Sequence, residues 1–433
     1  MVKEKYIILK LTMSTVQRSN YLILGLARSG RATAAFFDRV GEHYVVYDDH
    51  AKSYGDRAVL SKVNHISWET IKAVVQSPGI PFSYPTPHPV TALAIAKGIP
   101  IITDIDLFNQ YRDPAITCVG ITGTNGKSTT TALITHILNT AGRKTLMGGN
   151  IGVPVLSLLD EPNVSVYVLE LSSFQLEVTH QIDLDVAVLT NISEDHIDRH
   201  GSMASYIEAK ERIFRHANLR IIGAECVEPT EDLSVVERLP GEHNQENIRV
   251  AYAVCRKLSV PHDAIMAGVH SFPGLAHRME LVYKCTDFSA VNDSKATNAD
   301  STERALAYYT QLENPPMIYW ISGGKSKIGG IQSLKPYFSK VTKAYFFGAA
   351  QDEFLETAGN ALDAKTCGDL ETAIQAAFAD IRAEAHAHGH DPMRHYVILF
   401  SPACASFDQF RDFEHRGDEF KRLAHSNLKS KEQ

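Results

Sequence analysis

The sequence has no long hydrophobic run, no CxxC pair and no excess of basic side chains. A membrane-spanning helix needs about 20 consecutive apolar residues, and no stretch of the chain approaches that length. The six cysteines are scattered, which indicates buried, reduced thiols in a cytoplasmic protein. The formal net charge of −7 argues against a protein built to bind nucleic acid. The first apolar stretch, Tyr6–Leu9, is too short for a signal sequence, so we expect none.

A chain of 433 residues is too long for one ordinary core and predicts two to four domains. Short β-branched apolar runs alternate with helical patterns, which predicts the α/β class with parallel sheets. The pattern divides into three units with boundaries near residues 106 and 274, giving domains at 1–106, 107–274 and 275–433. The predicted strands are Tyr21–Leu24, Tyr44–Tyr47, Ala115–Val119, Tyr167–Leu169, Asp185–Leu189, Pro316–Ile321, Ala344–Phe347 and Tyr396–Phe400. The predicted helices are Arg31–Val40, Thr129–Leu138 and Ser202–Phe214.

A glycine-rich turn, Gly123–Ser128, stands between a predicted strand and a predicted helix. Glycine lets the backbone turn tightly, so that amide groups face an anion at the helix N-terminus. Lys127 is placed to reach the outer phosphates of a nucleotide, and Ser128 to bind Mg²⁺. The strict G-x-x-x-x-G-K-S pattern is not met, because Ile121 occupies the position of its first glycine. The adjacent Gly-Lys-Ser still predicts a nucleoside triphosphate site.

A second glycine turn, Gly25–Gly30, follows the first strand, and Asp48 follows the second. This arrangement is similar to a dinucleotide fingerprint in which Ala27 replaces the second glycine. The Cβ atom of an alanine obstructs close approach of a pyrophosphate, although a helix N-terminus still favours an anion. Two interpretations therefore stay open: binding of a diphosphate portion of a substrate, or a turn that merely needs glycine.

Acidic and imidazole side chains follow later strands of the central unit. Glu170 ends a strand, at the sheet edge that faces ligands in α/β proteins, which makes it a candidate Mg²⁺ ligand. His196 lies in the acidic segment Thr190–His200. On its own it would be an ordinary loop histidine, but its position in the same unit as a phosphate loop favours a metal site. Spacing alone predicts that Lys210 is an exposed helix lysine.

Three polar loops follow strands of the third unit: Val291–Asn298, Gly323–Lys327 and Ser401–Phe407. Each loop alone would be unremarkable. Together, at the strand ends of one sheet, they predict a site for a small anionic substrate.

These segments, taken in order, resemble the Mur ligase family over nearly the whole chain. The segments that carry the resemblance are Thr122–Ser128, Leu169–Glu177, Asn191–Arg199, Gly241–Asn247, Ala276–Met279, Asn292–Asn298 and Ser401–Gly417. The resemblance implies a Rossmann-like N-terminal domain that holds UDP, a central P-loop ATPase-type domain and a C-terminal Rossmann-like domain that brings the amino acid. It also implies an ADP-forming ligase of cytoplasmic peptidoglycan synthesis.

The implied substrates are ATP, UDP-N-acetylmuramoyl-L-alanine and D-glutamate, and the implied intermediate is an acyl phosphate. Addition of another amino acid, including L-glutamate, and a folylpolyglutamate synthase-like reaction remain the alternatives. A regulatory protein that binds a UDP-sugar is disfavoured, because binding alone does not need a phosphoryl-transfer site. One composite site per chain makes a monomer sufficient.

The resemblance also implies a set of site residues. Catalysis is assigned to Lys127, Lys210 and His196. The implied ligands of two Mg²⁺ ions are Ser128, Glu170, His196 and Lys210, the last as a carbamylated lysine. ATP contacts are implied for Gly123, Thr124, Asn125, Gly126, Lys127, Ser128, Thr129, Asn244, Asn247, Arg278, Asp293 and Lys295. UDP-substrate contacts are implied for Arg28, Ser29, Asp48, Ser77, Gly79, Asn150, Ser172 and Gln175. Glutamate contacts are implied for Thr297, Lys327, Ser406, Phe407 and Phe413.

The chain departs from the family pattern at several places. Residues 214–241 form a shorter segment than the family implies, so part of the edge of the central sheet is expected to be missing. Lys325 stands where an aspartate is expected, which leaves Lys325 or Lys327 as the glutamate contact. An additional segment precedes Tyr21.

Overall fold

The computed structural model describes residues 19–229, 242–327, 329–388 and 394–429, together with residues 233, 236 and 239. The additional N-terminal segment, up to residue 18, and Gly241 of the family-like segments lie outside the described residues. The chain divides into two compact units, the first ending at Phe272 and the second beginning at Pro273. Two large sheets belong to the first unit and one to the second. The finer division into three domains, with boundaries at 106 and 274, stays a prediction.

The first sheet has four parallel strands in the order β2-β1-β5-β6. Its core is aromatic: the rings of Tyr21 and Phe37 stack with centroids 4.5 Å apart. The elements are β1 (Asn20–Leu24), α1 (Arg28–Val40), β2 (Tyr44–Tyr47), β3 (Ser53–Tyr54), β4 (Arg57–Ala58), β5 (Ile71–Gln76), α2 (Pro89–Ala96), β6 (Ile101–Ile102) and α3 (Asp104–Tyr111). Strands β3 and β4 form a separate antiparallel pair.

The second sheet has five parallel strands in the order β11-β10-β7-β9-β8. Its elements are β7 (Thr117–Thr122), α4 (Lys127–Thr140), β8 (Thr145–Gly149), β9 (Val166–Glu170), α5 (Ser173–Val178), β10 (Leu184–Leu189), α6 (Ile197–His200), α7 (Met203–Glu211), β11 (Ala217–Ile222), α8 (Glu242–Lys257) and α9 (His262–Ser271). Helix α4 packs against both α8 and α9. Strand β11 forms the edge beside β10, and among the described residues no further strand precedes α8.

The third sheet has six strands in the order β12-β13-β17-β14-β15-β16, and only β12 runs antiparallel. Its elements are β12 (Glu280–Lys284), β13 (Phe288–Asn292), α10 (Ala299–Thr310), β14 (Met317–Gly323), β15 (Lys343–Phe347), α11 (Gln351–Ala358), β16 (Ala364–Gly368), α12 (Leu370–His388), β17 (Tyr396–Phe400) and α13 (Phe413–Lys429). Apolar clusters cover both faces of this sheet. Burial on both faces explains the continuous apolar runs of its central strands.

The predicted α/β class with parallel sheets is confirmed. The strand predicted at Ala115–Val119 was placed too early: it begins at Thr117, because Asp113 turns the preceding chain through bonds to the amides of Ala115 and Ile116. The predicted helix Ser202–Phe214 was too long, since α7 ends at Glu211 and passes into a 3₁₀ turn. In the part of the chain that the structure describes, no helix is long and apolar enough to span a bilayer.

Most of the predicted site residues lie at the carboxyl ends of parallel strands. The phosphate loop follows β7, Glu170 ends β9, and the His196 segment follows β10. The loops predicted for the small anionic substrate follow β13, β14 and β17. Neighbouring parallel strands end at the same sheet edge, so each sheet gathers its candidate residues there.

Candidate active site

The phosphate loop is built on two glycines whose backbone no other residue adopts easily. Gly123 has φ +147° and Gly126 has φ +79°. A Cβ atom on Gly123 would collide with the Thr190 side chain, and one on Gly126 with the amide of Asn247. Helix α4 begins immediately afterwards and carries no acidic residue in its first turn. Its N-terminal amides and positive dipole end therefore favour an anion, as the sequence predicted.

Two lysines converge on one backbone oxygen of this loop. Lys127 Nζ donates to the carbonyl oxygens of Gly123 and Thr124, at 2.9 and 2.8 Å. Lys210 Nζ donates to the same Gly123 oxygen at 2.6 Å. The prediction of an exposed lysine, made from spacing alone, was wrong: Lys210 is only 2% exposed. Its packing beneath the loop brings residues 87 positions apart into contact.

The environment of Lys210 favours the neutral amine. Burial, and then the positive charge of Lys127, lower the pKa of Lys210 to about 7, although nearby carboxylates act in the opposite direction. A lysine amine is a nucleophile only in its neutral form. Near pH 7 a substantial fraction of this amine is therefore neutral, which is the form that carbamylation by CO₂ requires.

Glu170 is a buried carboxylate with one unsatisfied oxygen. Its Oε1 atom accepts a hydrogen bond of 2.6 Å from Asn150 Nδ2, and the residue is 1% exposed. Its Oε2 atom is buried without a hydrogen-bond partner. Leaving such an oxygen unpaired is costly, so this position suits a bound cation. Within the described ranges, no group of three or more His, Cys, Asp or Glu side chains forms a metal cluster. The predicted ligand set, which combines hydroxyl, carboxylate, imidazole and modified lysine, does not depend on such a cluster.

His196 stands at the start of α6 in a left-handed conformation, with φ 55°. Its ring centroid lies 4.8 Å from that of Phe174, and its Nε2 atom lies 3.4 Å from Asp195 Oδ2. The side chain is about half exposed, which leaves the imidazole accessible to a ligand. The loop before it is tied to the phosphate loop, because Thr124 Oγ1 accepts from the Ser193 amide at 3.0 Å. Tyr206 of α7, which follows His196, bonds the same oxygen at 3.0 Å.

Two of the predicted ATP contacts, Asn244 and Asn247, lie beside the phosphate loop. Asn247 is buried on α8, its Nδ2 donates to Asn244 Oδ1 at 3.1 Å, and its Oδ1 accepts from Thr130 at 3.3 Å. The sequence separates Asn247 from Thr130 by 117 positions. The structure thus brings α8 against the N-terminal half of α4, beside Gly126.

Asp48 accepts hydrogen bonds from backbone amides at the strand ends of the first sheet. Its carboxylate accepts hydrogen bonds from the amides of Leu26, His50 and Ala51 at 2.7, 2.9 and 2.8 Å. Burial alone would raise the pKa of Asp48, but these amide bonds outweigh it and lower the pKa. The carboxylate therefore fixes the turn after β1. It lies at the end of β2, the position from which a contact with the UDP substrate is predicted.

The other residues predicted to contact the UDP end lie around the same turn. Ser77 is buried and its hydroxyl donates to the Gly25 carbonyl oxygen at 3.1 Å. Arg28, at the exposed start of α1, donates to the Asn150 carbonyl oxygen at 3.4 Å, which links this edge to the second sheet. The remaining positions, half-buried or exposed, are Ser29 and Gly79.

Ser172 and Gln175 form a capping box at the start of α5. Ser172 Oγ accepts from the Gln175 amide, and Gln175 Oε1 accepts from both the amide and the hydroxyl of Ser172, at 2.9 and 3.0 Å. Gln175 is buried. These two predicted substrate contacts therefore carry a local structural function as well.

In the second unit, Asp293 is a buried carboxyl at the end of β13. It accepts a hydrogen bond from Ser401 Oγ at 2.8 Å and another from the Met279 amide at 3.2 Å. Burial raises the pKa of Asp293 to about 7, against the opposing effect of these bonds and of the Arg278 charge. Lys295 lies over the ring of Phe413, with Nζ 5.6 Å from the centroid. The predicted ATP contacts of this unit thus occupy one cluster.

The residues predicted to contact glutamate differ in their exposure. Ser406 is buried, Thr297 is half-buried, Lys327 is exposed, and Phe407 is 72% exposed. Lys325 pairs through its backbone with Ala405, the residue before Ser406. Both candidate lysines therefore lie on the loop beside Ser406, and the choice between them stays a prediction.

Arg416 is a residue that the sequence reasoning missed. It is fully buried on α13 and donates to Ser294 Oγ, to the Ser294 carbonyl oxygen and to the Gly323 carbonyl oxygen, at 3.1, 2.8 and 3.4 Å. It thereby ties the loops after β13 and β14 together. Its spacing between Phe413 and Phe420 places it on the apolar face of the helix, a signal that could have revealed it.

Two segments of the sequence match known protein families. Residues 121–227 match the family described as Mur ligase middle domain, and residues 277–402 match the Mur ligase, glutamate ligase domain. Together with the three sheets and the phosphate loop, these matches define the class of protein: the chain belongs to the Mur ligase family.

Two relatives are named UDP-N-acetylmuramoylalanine--D-glutamate ligase. The one from Caulobacter sp. (strain K31) is 40% identical over 459 residues, covering 92% of this chain and 94% of the relative. The one from Rhodospirillum rubrum is 39% identical over 458 residues, covering 93% of each. The crystal structure of UDP-N-acetylmuramate-alanine ligase MurC from Thermotoga maritima shares the fold at 16% identity, with a TM-score of 0.58 over 94% of this chain and 99% of that one.

Proposed function

We propose that the chain joins D-glutamate to UDP-N-acetylmuramoyl-L-alanine, with ATP cleaved to ADP, in cytoplasmic synthesis of peptidoglycan precursors. The observation that carries the proposal is the 40% identity, over 92% of the chain, to a ligase named for these substrates. The phosphate loop supports ATP use, because its two positive-φ glycines and the start of α4 form an anion site.

The chemistry follows from the weakness of a carboxylate as an electrophile. ATP phosphorylates the terminal carboxylate of the UDP substrate, and the glutamate amine then attacks the acyl phosphate and expels phosphate. Lys127, already at the phosphate loop, balances negative charge on the transferred phosphoryl group. The remaining ATP contacts are Gly123, Thr124, Asn125, Gly126, Ser128, Thr129, Asn244, Asn247, Arg278, Asp293 and Lys295.

Two Mg²⁺ positions belong to the proposal. Ser128, Glu170, His196 and carbamylated Lys210 would hold them, and the ions would supply positive charge to the phosphate oxygens. The unsatisfied Glu170 oxygen supports one position. The neutral amine favoured at Lys210 supports its carbamylation, in which the amine adds to CO₂, loses a proton and becomes a carboxylate-like ligand.

Substrate contacts complete the assignment. The UDP substrate is held by Arg28, Ser29, Asp48, Ser77, Gly79, Asn150, Ser172 and Gln175. Glutamate is held by Thr297, Lys327, Ser406, Phe407 and Phe413. Its anionic groups suit a loop that carries two exposed lysines. We propose a monomer that does not bind nucleic acid, with domains at 1–106, 107–274 and 275–433.

Phosphate release by the purified full-length chain tests the function directly. ATP, Mg²⁺ and UDP-N-acetylmuramoyl-L-alanine are supplied with D-glutamate, L-glutamate or one of several other amino acids in turn. Release that depends on D-glutamate is expected. If only L-glutamate or another amino acid supports release, the chain is a different ligase of the family. If none of the amino acids supports release, the proposal is refuted.

A further inference from the structure

Arg199 makes an unusual set of contacts for a residue next to the candidate metal site. It lies on α6, three residues after His196, and its side chain is 11% exposed. Its guanidinium forms an ion pair with Glu177 of α5, with Nη1 3.2 Å from Oε2. It also lies over the ring of Phe174, with Cζ 5.3 Å from the centroid. A charge this well shielded from water is held in one position by its partners.

The same guanidinium reaches the first sheet. Nη1 donates to the Tyr84 carbonyl oxygen at 3.3 Å, and Nη2 donates to the Ile80 carbonyl oxygen at 3.2 Å. Both acceptors belong to the segment after β5, here named the 77–85 loop, which begins with the predicted UDP contact Ser77. Ser83 of that loop donates to Glu177 Oε1 at 2.5 Å. Arg199 and Glu177 thus bind the 77–85 loop through three hydrogen bonds.

The other side of this cluster faces the candidate metal ligand. The Phe174 ring beneath Arg199 packs against His196 at 4.8 Å and against His200 at 5.5 Å. His200 Nε2 in turn bonds Ser173 Oγ at 3.0 Å. The turn that carries His196 and the loop that carries Ser77 are therefore joined through one planar cation, which can bond two carbonyl oxygens and a carboxylate together.

We propose that Arg199 is a positioning residue that fixes the 77–85 loop against the His196 turn, so that the UDP end of the substrate is held in register with the metal site. This inference rests on the proposed function. Without the contacts of Arg199, the 77–85 loop must be ordered each time the UDP substrate binds. The free energy needed to order the loop then weakens binding of that substrate. Binding of ATP and glutamate does not require this ordering, because their proposed contacts lie outside the 77–85 loop.

The test compares Arg199→Met with Arg112→Met in the full-length chain. Arg112 is buried in the same unit and also donates to two carbonyl oxygens, of Ile116 and Asp183, at 3.0 and 2.7 Å. It makes no bond to the 77–85 loop. For Arg199→Met we expect about a tenfold rise in KM for the UDP substrate and in its Kd by calorimetry without ATP. KM for ATP and for glutamate should stay within about twofold. Arg112→Met should lower the melting temperature without this selective change.

Ser83→Ala keeps the test decisive if Arg199→Met does not fold. Ser83 is exposed, and its removal deletes one loop bond to a charged partner, so we expect about a threefold rise in Kd for the UDP substrate. An unchanged Kd in Ser83→Ala, or equal changes in all three KM values of a folded Arg199→Met, would overturn the inference. Failure of the wild-type chain to bind the UDP substrate would instead refute the proposed function.

Discussion

Replacement of Lys210 by methionine should change how the stability of the protein depends on pH. Methionine keeps the length and the apolar body of the side chain but removes the amine. In the wild type, the buried amine bonds the Gly123 oxygen and has its pKa lowered from 10.5 to about 7. Between these two values the unfolded chain binds a proton that the folded chain does not. The free energy of unfolding of the wild type therefore rises with pH across this window.

The size of the effect follows from the shift. Each pH unit between 7 and 10.5 should add about 1.4 kcal/mol to the stability of the wild type relative to Lys210→Met. From pH 7 to pH 9 the relative gain is on the order of 3 kcal/mol, because two units of the window are crossed. Below pH 7 both states of the wild type hold the proton, so the difference between the two proteins levels off.

The assay is urea unfolding of both proteins at half-unit steps from pH 6 to pH 9.5, in buffer depleted of CO₂ and divalent metal. Removal of CO₂ keeps the amine unmodified, and subtraction of the variant cancels the titrating groups that do not interact with Lys210. A stability difference that stays constant over this range would show that the Lys210 amine is not neutral in the folded protein. Burial would then not supply the neutral amine that carbamylation requires.

Substitutions at three positions test the phosphate and metal assignments. Lys127→Ala should abolish phosphate release while the melting temperature stays near that of the wild type, and near-normal release would remove the ATP-site assignment. Lys210→Ala should be nearly inactive and partly rescued by a short carboxylic acid, whereas Lys210→Arg should not be rescued, since guanidinium keeps the wrong charge; full activity of the Ala variant would exclude a metal ligand. His196→Gly should change stability by less than about 1 kcal/mol, because glycine relieves the positive φ of 55°, yet raise the Mg²⁺ requirement of phosphate release about tenfold or more. An unchanged Mg²⁺ requirement would remove His196 from the metal site.

Local patterns were predicted well because their determinants are close together in the sequence. The phosphate loop combines a strand, two glycines and a helix start within about ten residues, so the loop conformation is visible in the residues themselves. The three strand-end loops of the last sheet were also found, because the alternation of elements implies parallel strands whose ends coincide.

Features that depend on packing between distant segments escaped local reasoning. Lys210 looked exposed because its helix carries no strong apolar stripe, and only contact with a loop 87 residues away buries it. Asp48 was predicted as a ligand contact, but whether a carboxylate meets a ligand or backbone amides depends on the turn that forms around it. Ser172 and Gln175 are a different case: their spacing is that of a capping box, a local signal that the family resemblance overshadowed.

The buried guanidinium of Arg416 has a consequence for how the amino-acid specificity of such an enzyme can evolve. It joins the loops after β13 and β14 from beneath, through backbone and hydroxyl oxygens. The side chains of Lys327 and Phe407, on neighbouring loops, are exposed. Neither residue is among these hydrogen-bond partners of Arg416. If these side chains contact the amino acid, as proposed, their exchange would change substrate preference at little cost in stability. The fold therefore separates buried residues that hold the loops in place from exposed residues that can be substituted. This separation would allow related ligases to acquire new substrates without loss of the fold.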